Sequence, residues 1–112
     1  MDNMETWKKD DYLTYLYIYV ADSDLVINDD EKDFILSRVS KQLYDKVIKT
    51  YYKHKDIDKY NVISDFFKEN YKTEADKEKI IDEIKNLYWA DNVFNAIEKA
   101  YFISLKRLIH SI

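Results

Sequence analysis

Apolar residues recur along this chain at the three-and-four spacing of helices that bury one face, and the pattern divides into six segments. From about Thr6 to Asp22, Leu13, Leu16, Tyr17 and Val20 form one stripe, and Tyr12, Tyr15, Ile18 and Tyr19 carry the apolar surface nearly all round. Such a helix is central in a bundle or holds a second face for a partner. A second helix is expected from about Asn28 to Ser40, burying Ile35, Val39 and Phe34. A third begins near Lys41 or Gln42, with Leu43, Val47 and Tyr51 in a row and Tyr44, Ile48 and Tyr52 beside it. Lys53 to Asp58 is polar and reads as a loop. The fourth runs from about Asp58 to Asn70, with Tyr60, Ile63 and Phe67 on one face and Phe66 alongside. Thr73 caps a fifth, which reaches about Ala90 on a stripe of Ile80, Ile84, Leu87 and Tyr88. The sixth, from Asn95 to about His110, is expected to bury Ile97, Tyr101, Leu105 and Leu108. Its last turns carry Lys106, Arg107 and His110, cations at the negative helix end.

One short phrase occurs twice. Asp24-Leu-Val-Ile27-Asn28-Asp-Asp-Glu31-Lys32 and Asp91-Asn-Val-Phe94-Asn95-Ala-Ile-Glu98-Lys99 align at a shift of 67 residues. The match extends outward, setting Leu13 on Ile80, Tyr17 on Ile84, Val20 on Leu87, Phe34 on Tyr101 and Leu36 on Ile103. A repeat of this length predicts a duplicated supersecondary unit. Asn-x-x-Glu is a capping box, in which Asn accepts from the first helical turn and Glu reaches back to the Asn N–H. Each phrase is therefore a corner between two helices, with Ile27 or Phe94 setting the entry of the second. Asp24 and Asp91 lie near the C-terminus of the first, the unfavourable dipole end for a carboxylate, so nearby amides or a bound cation should offset them.

Composition sharpens the fold class. The 112 residues contain no Gly and no Pro, where average usage would supply about eight and five or six. Favoured hairpin turns need Gly, whereas helical connections can turn on Asn and Asp, which tolerate left-handed backbone. The expectation is one all-α domain over residues 1–112, a bundle of about six helices with two pseudo-symmetric helix-corner-helix repeats. At 46% hydrophobic and 36% charged residues the chain is globular. No cysteine is present, so disulfides and thiolate chemistry are excluded. No signal-like or spanning segment is seen, so a cytoplasmic protein without membrane insertion is expected. A net charge of −4 argues against nucleic-acid binding. The charge is uneven, with acids concentrated between Asp22 and Asp33 and lysines between Lys41 and Lys59.

Motif chemistry is mostly ruled out. Phosphate-binding loops, dinucleotide folds and nucleophile elbows require Gly. His54 and His110 have no motif partners and read as surface residues. A calcium loop starting at Asp22 fails at its fifth, sixth and twelfth positions, which are Val26, Ile27 and Asp33. A looser oxygen-ligand site for Ca²⁺ or Mg²⁺ is chemically reasonable at the corners, with Asp24, Glu31, Asp91 and Glu98 as candidate metal ligands and Asp22 as an extra one. The alternative is structural, with the aspartates bonding nearby amides and Glu31 and Glu98 serving as capping-box residues.

The doubled phrase resembles the signature of the TerB-like, tellurite-resistance domains: an apolar helix, Ala-Asp-Gly-x-Ile-x-x-x-Glu, then another apolar helix. Here it reads Asp24-Leu25-Val26-Ile27-x-x-x-Glu31, with Ala21 displaced by two residues, and Ala90-Asp91-Asn92-Val93-Phe94-x-x-x-Glu98. The likeness spans about 85 residues in both halves. It implies an all-α domain of internal repeats, a cytoplasmic role in stress, tellurite or phage resistance, and divalent-metal binding through Asp24, Glu31, Asp91 and Glu98. The family glycine is replaced by Leu25, which resists a positive φ, and by Asn92, which accepts one, so metal binding suits the second corner better. The expected function is a non-enzymatic, TerB-like module acting by protein contact and tuned by a divalent cation. Eleven Tyr and two Trp support a protein partner, and a second copy of the chain is a candidate for the spare face of the first helix. The alternative is an acidic inhibitor or immunity-type protein, whose Asp22–Asp33 cluster blocks a basic partner surface. A metal-dependent hydrolase would need a tighter set of ligands than the sequence offers.

Overall fold

A computed structural model describes residues 4–22, 27–90 and 95–111. Among these, a 3₁₀ turn at Met4–Thr6 leads into six helices: α1 (Lys9–Ala21), α2 (Asp29–Arg38), α3 (Lys41–Lys53), α4 (Asp56–Asn70), α5 (Glu74–Tyr88) and α6 (Ala96–His110). No strand occurs among the described residues. The all-helical class and the number of helices are those expected.

α1 is the axis of the molecule. Five successive residues, Thr14 to Ile18, are buried, and Val20 and Ala21 continue the burial. No single neighbour can cover a helix on every side, so α2, α3, α4 and α5 all pack against it. Fully burying one such apolar side chain contributes roughly 1.5–3 kcal/mol, which makes this helix the main source of core energy. Its apolar surplus is thus consumed inside the chain, and the reason for a second copy at that face disappears. α6 packs chiefly on α5, through Leu105 and Ile109, with Phe102 edge-on to Tyr88.

Every helix begins with a side chain accepting from backbone. Asn28, Ser40, Thr73 and Asn95 accept the N–H three residues on. Asp11 and Asp58 act in the reverse sense, their carboxylates taking the N–H of Lys8 at 2.8 Å and of Lys55 at 3.1 Å. A cap of this kind typically stabilises by ~1 kcal/mol. It also fixes where each helix begins, in a chain that has neither Gly nor Pro to interrupt one.

The connections turn in a different way from that expected. Between α2 and α3 the backbone simply extends for two residues, Val39 at φ −132°, ψ 159° and Ser40 at φ −71°, ψ 155°. His54 and Lys55 repeat this between α3 and α4, at φ −81°, ψ 146° and φ −81°, ψ 166°. Neither turn needs a left-handed residue, so glycine is dispensable there. The expected loop over Lys53 to Asp58 shrinks to these two residues, because Asp58 sits three positions inside α4 and caps it from there. The first helix likewise starts at Lys9 instead of Thr6, under the carboxylate of Asp11.

Several positions expected in the core lie at the surface. Tyr60 is 48% exposed, Ile97 55% and Tyr101 40%. Their spacing matches the buried stripe, but among the described residues α6 packs chiefly on α5, and Ile97 and Tyr101 stay outside that contact.

Asp11 also ties α3 to the start of α1, since Lys46 Nζ lies 2.6 Å from its carboxylate. Burial pushes the Asp11 carboxyl up, but the Lys46 hydrogen bond, the Lys8 N–H and the Lys46 charge outweigh it and leave the value lowered. A depressed folded value means the stabilisation is complete above the ordinary 3.8 and is lost as the pH falls through the folded value. Denaturant melts from pH 6 to pH 2 should therefore show an acid decline that Asp11→Asn flattens, with the variant already less stable at pH 6.

Candidate functional site

The two corners share their helix boundaries, cap angles and capping bonds. α1 ends at Ala21 and α5 at Tyr88, and α2 and α6 open at Asp29 and Ala96, all at the 67-residue shift. The residues closing the first helix of each pair, Asp22 and Trp89, have φ −85°, ψ 7° and φ −89°, ψ 4°. The capping residues Asn28 and Asn95 have φ −81°, ψ 171° and φ −75°, ψ 173°. Both capping boxes close: Asn28 N–H donates to Glu31 at 3.2 Å, and Glu31 N–H to Asn28 at 2.8 Å. The second set measures 3.2 and 2.9 Å. Glu31 and Glu98 are almost wholly buried, at 1% and 3% exposure. A carboxylate is costly to bury unless it is hydrogen-bonded, and the Asn N–H of its own corner supplies one such bond in each case.

Asp24 and Asp91 lie outside the described residues. Glu31 and Glu98 each turn an oxygen to the Asn of their own corner. Asp22 accepts the Tyr51 hydroxyl from α3 at 3.0 Å, which compensates its position at the negative end of α1. Trp89 occupies the corresponding place in the second corner, so Asp22 has no duplicate. Among the described residues no three of His, Cys, Asp or Glu stand close enough to hold a metal ion.

Tyr51 belongs to a polar cluster between α1, α3 and α4 that the sequence pattern concealed. The ring of wholly buried Tyr15 meets Tyr51 edge-on, with centroids 5.2 Å apart, and its hydroxyl lies 2.8 Å from His54 Nδ1. Lys59 Nζ stands 4.2 Å above the Tyr51 ring. Burial, then the nearby Asp22 charge and its hydrogen bond, hold the Tyr51 hydroxyl protonated well above the usual tyrosine range. His54, expected as a loop surface residue, is half-buried and closes α3. A lone histidine in a lysine-rich stretch carries no hint of this, because its partner Tyr15 is 39 residues away.

A groove opens elsewhere on the molecule. Tyr19 of α1, Tyr60 and Ile63 of α4, and Tyr101, Leu105 and Leu108 of α6 line a groove of about 560 Å³, with Ser104 and Arg107 on its α6 side. Of the seven large apolar residues exposed among those described, five stand on α4 or α6: Ile57, Tyr60, Ile97, Tyr101 and Ile103. Burial is the main cause raising the Tyr19 hydroxyl above its ordinary value, followed by Tyr101, Asp56 and Tyr60. The groove offers rings, hydroxyls and a guanidinium as contact groups.

No protein-family model, curated protein or solved structure matches the chain.

If the corners are equivalent, their caps should be worth the same. Asn28→Ala and Asn95→Ala should each lower the unfolding free energy by ~1 kcal/mol in denaturant titrations. A loss at one corner only would show that the other helix is started by tertiary packing.

Proposed function

We infer that this chain is a non-enzymatic helical module that acts by binding another protein, and that the α4–α6 face is its contact surface. The observation that carries this reading is α6 itself. Ile97 and Tyr101 are spaced for burial, yet they stand 55% and 40% exposed beside an apolar groove. Contiguous exposed apolar surface of this kind is typical of interaction sites, and tyrosine is favoured there because its ring is apolar and its hydroxyl can stay wet.

The TerB-like kinship belongs to the same proposal. It is supported by the common boundaries and backbone angles of the two corners, which suit a duplicated, pseudo-twofold unit. With the kinship come the role in stress, tellurite or phage resistance and the cytoplasmic setting. A second copy of the chain as partner loses its first support now that α1 is covered by α2 to α5. The acidic-inhibitor reading keeps one observation in its favour: α2 exposes Asp29, Asp30 and Asp33 on its first two turns, against the single cation Lys32. The two readings place the partner on different faces.

A photo-crosslinking amino acid placed at Ile97 or Tyr101 should give a discrete adduct with another protein in the native cell, and none from Glu78 on α5. Adducts confined to positions 29, 30 and 33 would transfer the function to the acidic face. Cation binding at the corners rests on Asp24, Glu31, Asp91 and Glu98, with Asp22 as an extra ligand. If the corners bind, Ca²⁺ or Mg²⁺ at 100 times its Kd adds ~2.7 kcal/mol, a melting shift of several degrees that Asp24→Asn with Asp91→Asn should abolish. An unchanged melt removes the cation and leaves the contact surface standing.

A further inference from the structure

Charge on α6 identifies what its exposed face can receive. Lys99, Lys106, Arg107 and His110 are exposed, and the helix has only one acid, Glu98, which is 3% exposed. Each of the other five helices brings a carboxylate to the surface, as with Asp10, Asp29, Asp45, Asp56 and Glu74. A chain of net charge −4 thus presents one helix whose accessible charges are all basic, and that helix borders the groove together with α1 and α4. Tyr101, Ser104, Leu108 and Ser111 line it at a three-four-three spacing. At 1.5 Å per residue they span roughly 15 Å, nearly three helical turns.

Resting on the reading of this face as a contact surface, we propose that the α4–α6 groove receives an acidic amphipathic helix of a partner protein. Its apolar side lies between Tyr60 and Tyr101, and its carboxylates face Arg107 and Lys106. A groove of this length between two helices matches the apolar anchors of one short helix at positions i, i+4 and i+7. Arg107 at the rim can hold a carboxylate in two hydrogen bonds. A second copy of the chain would bring the same face against itself and is distinguished by dimerisation. An anionic bilayer fits less well. The apolar residues line a concavity, which a flat bilayer surface does not fill.

Selection of helix-biased random peptides against the full chain, followed by fluorescence anisotropy of the enriched sequences, tests the idea. The expected peptides are amphipathic, carry net negative charge, and bind with an affinity that falls as salt is raised. Tyr101→Glu should abolish binding, and Arg107→Glu with Lys106→Glu should weaken it about tenfold. Tyr52→Glu, an exposed tyrosine on α3, should change nothing, and circular dichroism of each variant checks folding. Enrichment of basic or salt-indifferent peptides, or failure to enrich any, overturns the proposal. So does concentration-dependent dimerisation, or co-sedimentation with phosphatidylglycerol vesicles, that Tyr101→Glu abolishes. A cellular adduct from position 101 with a partner lacking an acidic helix would also overturn it, while leaving the interaction module intact. No adduct from either position on α6 would remove the contact surface itself.

Discussion

Enclosing α1 is the constraint from which the remaining arrangement follows. Five consecutive buried residues leave that helix no polar side to show to water, so four helices must surround it. The same enclosure explains how the two halves diverge on a shared plan. At the 67-residue shift, Tyr15, Leu16 and Ile18 of α1 correspond to Asp82, Glu83 and Lys85 of α5. α1 needs apolar groups on those faces because neighbours cover them, while α5 borders solvent there and carries charge. One of these charges was put to use: Glu83 accepts the Tyr17 hydroxyl at 3.1 Å and pairs with Arg38 at 3.1 Å, joining α1, α2 and α5.

Helix boundaries in this chain are set by side-chain acceptors. A chain without Gly or Pro cannot end a helix with a left-handed glycine or by removing a backbone donor. It must make the next beginning more favourable than one further turn. Ser and Thr do this alone, Asn and Glu do it as a pair, and Asp11 and Asp58 do it from three residues inside. Two extended residues between α2 and α3, and between α3 and α4, are then sufficient. Short connections of this kind leave little slack, which is consistent with a molecule whose open surface is a groove between helices instead of a long loop.

Surface chemistry follows from where the enclosure stops. With α2 to α5 around α1, α6 has one main neighbour and keeps apolar residues that a further helix would have covered. The acids are distributed over the other helices, and α6 is left basic. Apolar surface gives such a face its affinity and charge gives it selectivity, so an interaction role fits the face better than a chemical one. The hydrogen-bonded cluster of Tyr15, His54, Tyr51 and Asp22 has a different character. Its hydroxyls meet a histidine and a carboxylate inside the molecule, and it fastens α1 to α3.

Local information in the sequence was enough for the six helices and their capping residues Asn28, Thr73 and Asn95, because spacing and capping act within a few residues of the chain, whereas it left α1 either central or holding a face for a partner. The capping role of Glu31 and Glu98 was legible for the same reason. Their near-complete burial was not, since it depends on how the helices of each corner close on one another. Tyr60, Ile97 and Tyr101 show the limit most plainly. Periodicity marks a residue as suited to burial, but only the number of helices packed around it determines whether burial occurs. The pairing of Tyr15 with His54 and of Tyr51 with Asp22 was equally out of reach, because each joins helices whose adjacency is decided by the packing around α1.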